Sequence, residues 1–153
     1  MRKRERKALG RYCREIANKL ELRDWWVSTR VDNVGGPQDR YDGKTWAASS
    51  NSIPGQKHVM LAFDPGCREW SREELRQTVA HELIHAHLAP MVEMTRVDLE
   101  PHLADQAHVL FDAAFTRHLE FAVDALADAV APHLPLIEWS KPKKRKSGED
   151  DED

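Results

Sequence analysis

Cysteine is nearly absent: Cys13 and Cys67 are the only two in 153 residues, and they lie far apart. That excludes a disulfide framework and a closely spaced thiolate zinc site, and both read as ordinary, semi-buried thiols. Long apolar runs are missing as well. With 32% charged residues and a mean hydropathy of -0.68, no stretch approaches the ~20 apolar residues that span a bilayer. The opening MRKRERKALG is basic, but Arg11, Arg14 and Glu15 continue the charge where a signal peptide would turn apolar. Retention in the cytoplasm is the expectation. A large charge of one sign is lacking too. A net charge of -3 and a pI near 6.2 argue against a nucleic-acid binder. Tyrosine is scarce, with Tyr12 and Tyr41 the only two.

What is present orders itself along the chain. Leu9, Tyr12, Cys13, Ile16, Ala17 and Leu20 recur at helical spacing, which predicts a first helix over residues 3–22. Lys3, Arg4, Arg6 and Lys7 decorate its start as a solvated end, or as a patch that steers an acidic partner. Trp25–Val31 is rich in aromatic and β-branched residues and predicts a strand. Val34-Gly35-Gly36-Pro37 breaks the chain, and a loop through Asp42-Gly43 leads to a weaker strand at Thr45–Ser50. Ser52-Ile53-Pro54-Gly55 is a turn signal, and His58–Phe63 is a third strand closed by Asp64-Pro65-Gly66. Residues 91–101 show little pattern. Leu103–Ala131 holds neither Gly nor Pro and predicts a long helix ended by Pro132 and Pro135. From Lys141 the chain reads KPKKRKSGEDDED, a basic block and then an acidic one with no apolar residue to bury. A solubilising, disordered tail over 141–153 is expected, behind a single domain over 1–140.

The chemistry concentrates in Ser71–Leu88, SREELRQTVAHELIHAHL. Ser71 and Glu74 make a capping box, Leu75, Val79, Leu83 and Ala86 supply an apolar side, and Pro90 is expected to end the helix. Within it, His81-Glu82-Leu83-Ile84-His85 is an H-E-x-x-H motif. Histidines four apart stack on one helix face, where two neutral imidazoles can share a zinc ion. Glu82 then projects beside the metal as a general base, positioned to take a proton from water and pass it to a leaving amine. The edge of the strands before this helix is a place to lay an extended peptide over the metal, with Thr45–Ser50 the candidate.

A catalytic zinc has three protein ligands, so a third must lie elsewhere. The metzincin extension requires Gly at 88 and His at 91, where this chain has Leu88 and Met91. His87 lies roughly 200° around the helix from His85 and points away. Downstream candidates are Glu93, Asp98, Glu100, His102, His108, His118 and Glu120. On a helix, Ala113, Ala127 and Ala131 fall within roughly 20° of Glu120, with Thr116 and Asp124 a little further off. That small-residue face would let the two helices approach, and a carboxylate pointing into their interface needs a charge partner. His118 lies roughly 160° from Glu120, so at most one of the pair faces the metal. Spacing favours Glu120 and keeps His118 as the alternative.

TVAHELIHAHL followed by HLEFAVDALA resembles the small zincin-like metallopeptidases, in particular the gluzincin arrangement of compact bacterial and phage-encoded members. The resemblance covers Trp25–Ala131 in layout and is specific at those two motifs. It implies a zincin-like α+β fold: an N-terminal helix, a small mostly antiparallel sheet, the HExxH helix and a C-terminal helical layer. It also implies His81, His85 and Glu120 as zinc ligands, Glu82 as general base, and hydrolysis of peptide bonds in a peptide or protein substrate. The SprT-type proteases are similar too, but their third histidine would fall at Met91. Hydrolases of this kind use a downstream Tyr or His to stabilise the oxyanion. No tyrosine follows the motif here, and His102, His108 and His118 are the available substitutes. A second reading follows: a zinc-binding protein of this fold that acts through a partner and cleaves little or nothing.

Overall fold

The computed structural model describes residues 1–32 and 48–139. The Gly-Gly-Pro break, the Asp42-Gly43 loop, the Thr45–Ala47 part of the second strand and the charged tail lie outside them. Helix α1 (Lys3–Lys19) buries Leu9, Cys13, Ile16 and Ala17, the stripe expected from its spacing. It ends three residues earlier than residue 22. Glu21 turns left-handed (φ 60), and the Leu22 and Glu21 N–H groups return to the Ala17 and Asn18 carbonyls. Glu21 carries no glycine signature, so the stop was invisible in the sequence.

Strands β1 (Trp26–Val31), β2 (Ala48–Ile53) and β3 (His58–Phe63) form one sheet in the order β1-β3-β2. The sheet is mixed. β2 pairs with β3 antiparallel, while β1 pairs with β3 parallel, so the mostly antiparallel sheet expected gives way to one ladder of each kind. The cause is placement: β3 is central, β2 takes one side as its hairpin partner, and β1 is left the other. Pairing also draws Ser52 and Ile53 into β2, moving the turn to a 3-10 segment at Pro54–Gln56. Val59, Leu61 and Phe63 alternate to one face and are fully buried. They share a core with Leu9, Cys13 and Ile16 of α1 and with Leu75, Val79 and Leu83 of the next helix.

That helix, α2 (Arg72–Glu93), starts as expected. The Ser71 hydroxyl accepts the Glu74 N–H at 3.0 Å, and the Glu74 carboxylate accepts the Ser71 N–H at 2.8 Å. Its end differs, because Pro90 lies inside the helix. A proline removes a single ladder bond, the one to Ala86, and its fixed φ suits a helix. The chain therefore runs on to Glu93, widens into a π-helical turn over Met94–Leu99, and tightens into a 3-10 turn at Glu100–His102. The patternless 91–101 stretch is thus helical throughout.

Helix α3 (Asp105–Val130) returns antiparallel along α2. Ile84 of α2 packs with Val123 and Ala127 in a small second core. A 3-10 turn at Ala131–His133 then carries Leu134 and Ile137 back to the main core, where the Tyr12 hydroxyl donates to the Pro135 carbonyl at 2.9 Å. The layout is α+β. No helix among the described residues is long and apolar enough to cross a membrane.

Candidate metal centre

The α2–α3 seam is pinned at successive levels. Gln77 donates to Asp128 at 2.7 Å near one end, and Arg96 donates to Asp112 and Thr116 at 2.9 Å each near the other. Between these ties lie the histidines. Their four-residue spacing puts both on the α2 face turned to α3, and α3 answers with Glu120 and Asp124, themselves four apart. Ala127 and Ala131 of the small-residue face are buried, as close approach requires, whereas Ala113 is exposed where α3 runs beyond the body.

Three ligand atoms form a tight triangle. His81 Nε2 is 3.2 Å from His85 Nε2, and Glu120 Oε2 is 3.5 Å from the first and 3.6 Å from the second. His81 Nδ1 lies 2.9 Å from Asp124 Oδ1. With a proton on Nδ1, a neutral His81 presents a lone pair from Nε2 toward His85 Nε2 and Glu120 Oε2. A proton donated from His85 Nε2, or a cation, can hold such a cluster. His81, His85 and Glu120 together form a group able to bind a metal ion, and the donor set of two imidazoles and one carboxylate fits a divalent one.

The electrostatics agree with that geometry. Hydrogen bonds from His81 and His85 hold the Glu120 carboxyl down to about 2, so it is ionised. Burial works to lower His81, but the bond to Glu120 and the charges of Glu82 and Asp124 outweigh it, and the net shift is upward. Glu82 is almost fully buried. Burial raises its carboxyl, while a hydrogen bond from Ser50 of β2 and the two imidazoles pull the other way.

A cleft of 460 Å³ opens beside the triangle, lined by Glu82, His85 and Glu120, by Ser50 and Ser52 of β2, and by apolar side chains including Val92 and Leu119. β2 is an edge of the described sheet, so the strand expected to receive a peptide does border the site. Of the other sequence candidates, His118 is exposed and turned edge-on to Phe121, away from the triangle. His87 donates from Nε2 to the Leu20 carbonyl at 2.6 Å, closing the C-terminal end of α1. Glu93 lines the cleft without joining the triangle. Asp124 was missed as a functional residue. Its signal was there, since it sits one turn beyond Glu120 on the same face. No family model, curated protein or solved structure matches the chain.

Proposed function

We propose that the protein is a zinc-dependent metallopeptidase. One observation carries the reading: the His81–His85–Glu120 triangle sits beside buried Glu82 at the foot of a cleft bordered by an edge strand of the described sheet. Ligand bonds of roughly 2.0–2.2 Å in a tetrahedral zinc site place ligand atoms about 3.3–3.6 Å apart. The triangle's edges of 3.2, 3.5 and 3.6 Å match that spacing. Three protein ligands leave one position open, as catalytic sites do and structural sites do not.

Zinc, when bound, supplies Lewis acidity toward a scissile carbonyl and lowers the pKa of water at the site. The remaining steps belong to the chain's own residues. The β2 edge offers backbone N–H and C=O groups that align an extended peptide across the cleft. Ser52 lines the same cleft, its hydroxyl buried and without a partner among the described residues. Glu82, oriented by Ser50, takes a proton from the attacking water and hands it to the leaving amine. The second reading, a zinc protein that cleaves nothing, is favoured by two observations: His118 faces away from the triangle, and no tyrosine follows the motif.

Elemental analysis and hydrolysis of a peptide pool decide between them. One zinc per chain is expected in the wild type, lost or weakened in His81→Ala and Glu120→Gln. Glu82→Gln should keep its zinc and lose hydrolysis by about 10²–10⁴-fold. Hydrolysis that survives Glu82→Gln with zinc bound would overturn the mechanism. A zinc-loaded wild type that cleaves nothing would leave the second reading.

A further inference from the structure

Much of the protein's exposed apolar surface lies on one length of chain. Met91, Met94, Val97, Leu99, Val109 and Leu110 are all exposed, Leu110 at 73%, and Thr95 is the one buried side chain described between 91 and 110. The end of α2, the π-helical turn and the start of α3 thus form an arm with almost no core of its own. Concentrated exposed apolar residues mark an interaction surface far more often than isolated ones do. The arm is also acidic. Glu93, Asp98, Asp105 and Asp112 stand against Arg96, whose guanidinium is already engaged by Asp112. Its root is the cleft itself, since Glu93, Arg96 and Val97 line the same cavity as Glu82, His85 and Glu120.

We propose that residues 91–112 dock the protein substrate outside the cleft, recognising a segment that sets apolar residues among lysines and arginines. This rests on the hydrolase reading for calling the partner a substrate. The arm's surface selects the occupant. An anionic membrane would be repelled by its carboxylates. A second copy of the chain offers its largest described cluster of cations on α1, where no exposed apolar residue accompanies them. The outward cations of α1, Lys3, Arg4, Lys7 and Arg11, stand on a helix whose apolar stripe is buried. The other basic block, Lys141–Lys146, contains no apolar residue. A basic amphipathic segment of another protein meets both requirements, and one bound to the arm would lead directly into the cleft.

The test uses full-length, zinc-loaded Glu82→Gln protein and a short labelled peptide of leucine and lysine with leucine at helical spacing. Fluorescence anisotropy should show binding, with a glutamate-for-lysine version and a leucine-free version each at least about tenfold weaker. Val109→Glu and Leu110→Glu should each weaken binding about tenfold, the loss expected for one buried apolar anchor, without altering zinc content. Equal binding of the glutamate version, or binding indifferent to both substitutions, would overturn the proposal. So would a dimer in sedimentation that Leu110→Glu dissolves, because a second copy would then own the surface. The two readings fail separately. If the arm binds the peptide but the wild type cleaves nothing, the hydrolase reading falls. If unstructured peptides are cleaved and the arm binds nothing, the docking surface falls.

Discussion

His81 meets two carboxylates from opposite sides of one ring. Nδ1 lies 2.9 Å from Asp124, while Nε2 faces His85 and Glu120. A carboxylate behind a ligating histidine fixes the tautomer and raises the basicity of the nitrogen that binds the metal. Asp124→Asn should therefore lower metal affinity about 10–100-fold while leaving the fold intact, as measured by competition with a chelating dye. His118→Ala should change nothing in the same assay, because its ring lies against Phe121. A second set of residues governs the response to alkali. Burial raises the Cys67 thiol from 9.0 to about 11, and burial also raises Cys13 and Tyr12. Each group holds its proton more tightly folded than unfolded. Their contribution is whole below the ordinary thiol value and is lost as pH rises and the unfolded chain deprotonates first. The urea midpoint should fall between about pH 9 and about pH 11, less steeply in Cys67→Ala. A flat midpoint across that window would contradict the burial of these acids.

At the scale of elements, the end of α1 and the two ends of α2 show how far local rules reach. Capping at Ser71 needs atoms three residues apart, and it is present as its sequence announces. The stop of α1 depends on a left-handed Glu21, a conformation that costs a side-chain-bearing residue about 1 kcal/mol. The exposed Glu21–Arg23 ion pair returns little of that. Glu21→Gly should stabilise the protein by about 0.5 kcal/mol, the relieved strain being partly offset by a more flexible unfolded chain. Chemical denaturation reads the difference, and a loss of stability would mean that the Glu21 side chain contributes something the geometry does not show. Pro90 teaches the opposite lesson. A helix already docked along α3 absorbs one missing hydrogen bond, so a residue that reads as a terminator became an interior position.

At the scale of the molecule, the site is a property of the α2–α3 seam. Its three candidate ligands stay together only while Ala127 and Val123 let α3 lie close on Ile84. Ala127→Leu adds bulk to a position with no free surface and should push the helices apart. Overpacking of this kind costs about 1–3 kcal/mol, and the shift would also carry Glu120 away from the histidines. Metal affinity should fall by more than the loss of stability accounts for, and isothermal titration beside urea unfolding would show both. Equal losses would place the coupling elsewhere.

The sequence by itself determined the local facts: α1 and α2, the His58–Phe63 strand, the capping box, and two histidines one turn apart with a glutamate beside them. Each follows from contacts within about four residues, where periodicity and capping act. It also favoured Glu120 over His118 as the candidate third ligand without excluding His118, because helical angles can be counted along the chain. Tertiary structure alone decided that Glu120, rather than His118, completes the triangle, that Asp124 backs His81, that β1 runs parallel to β3, and that Pro90 stays helical. Those outcomes depend on which surfaces meet across dozens of residues of intervening chain. Packing and desolvation choose among them, and neither leaves a signature at fixed spacing in the sequence.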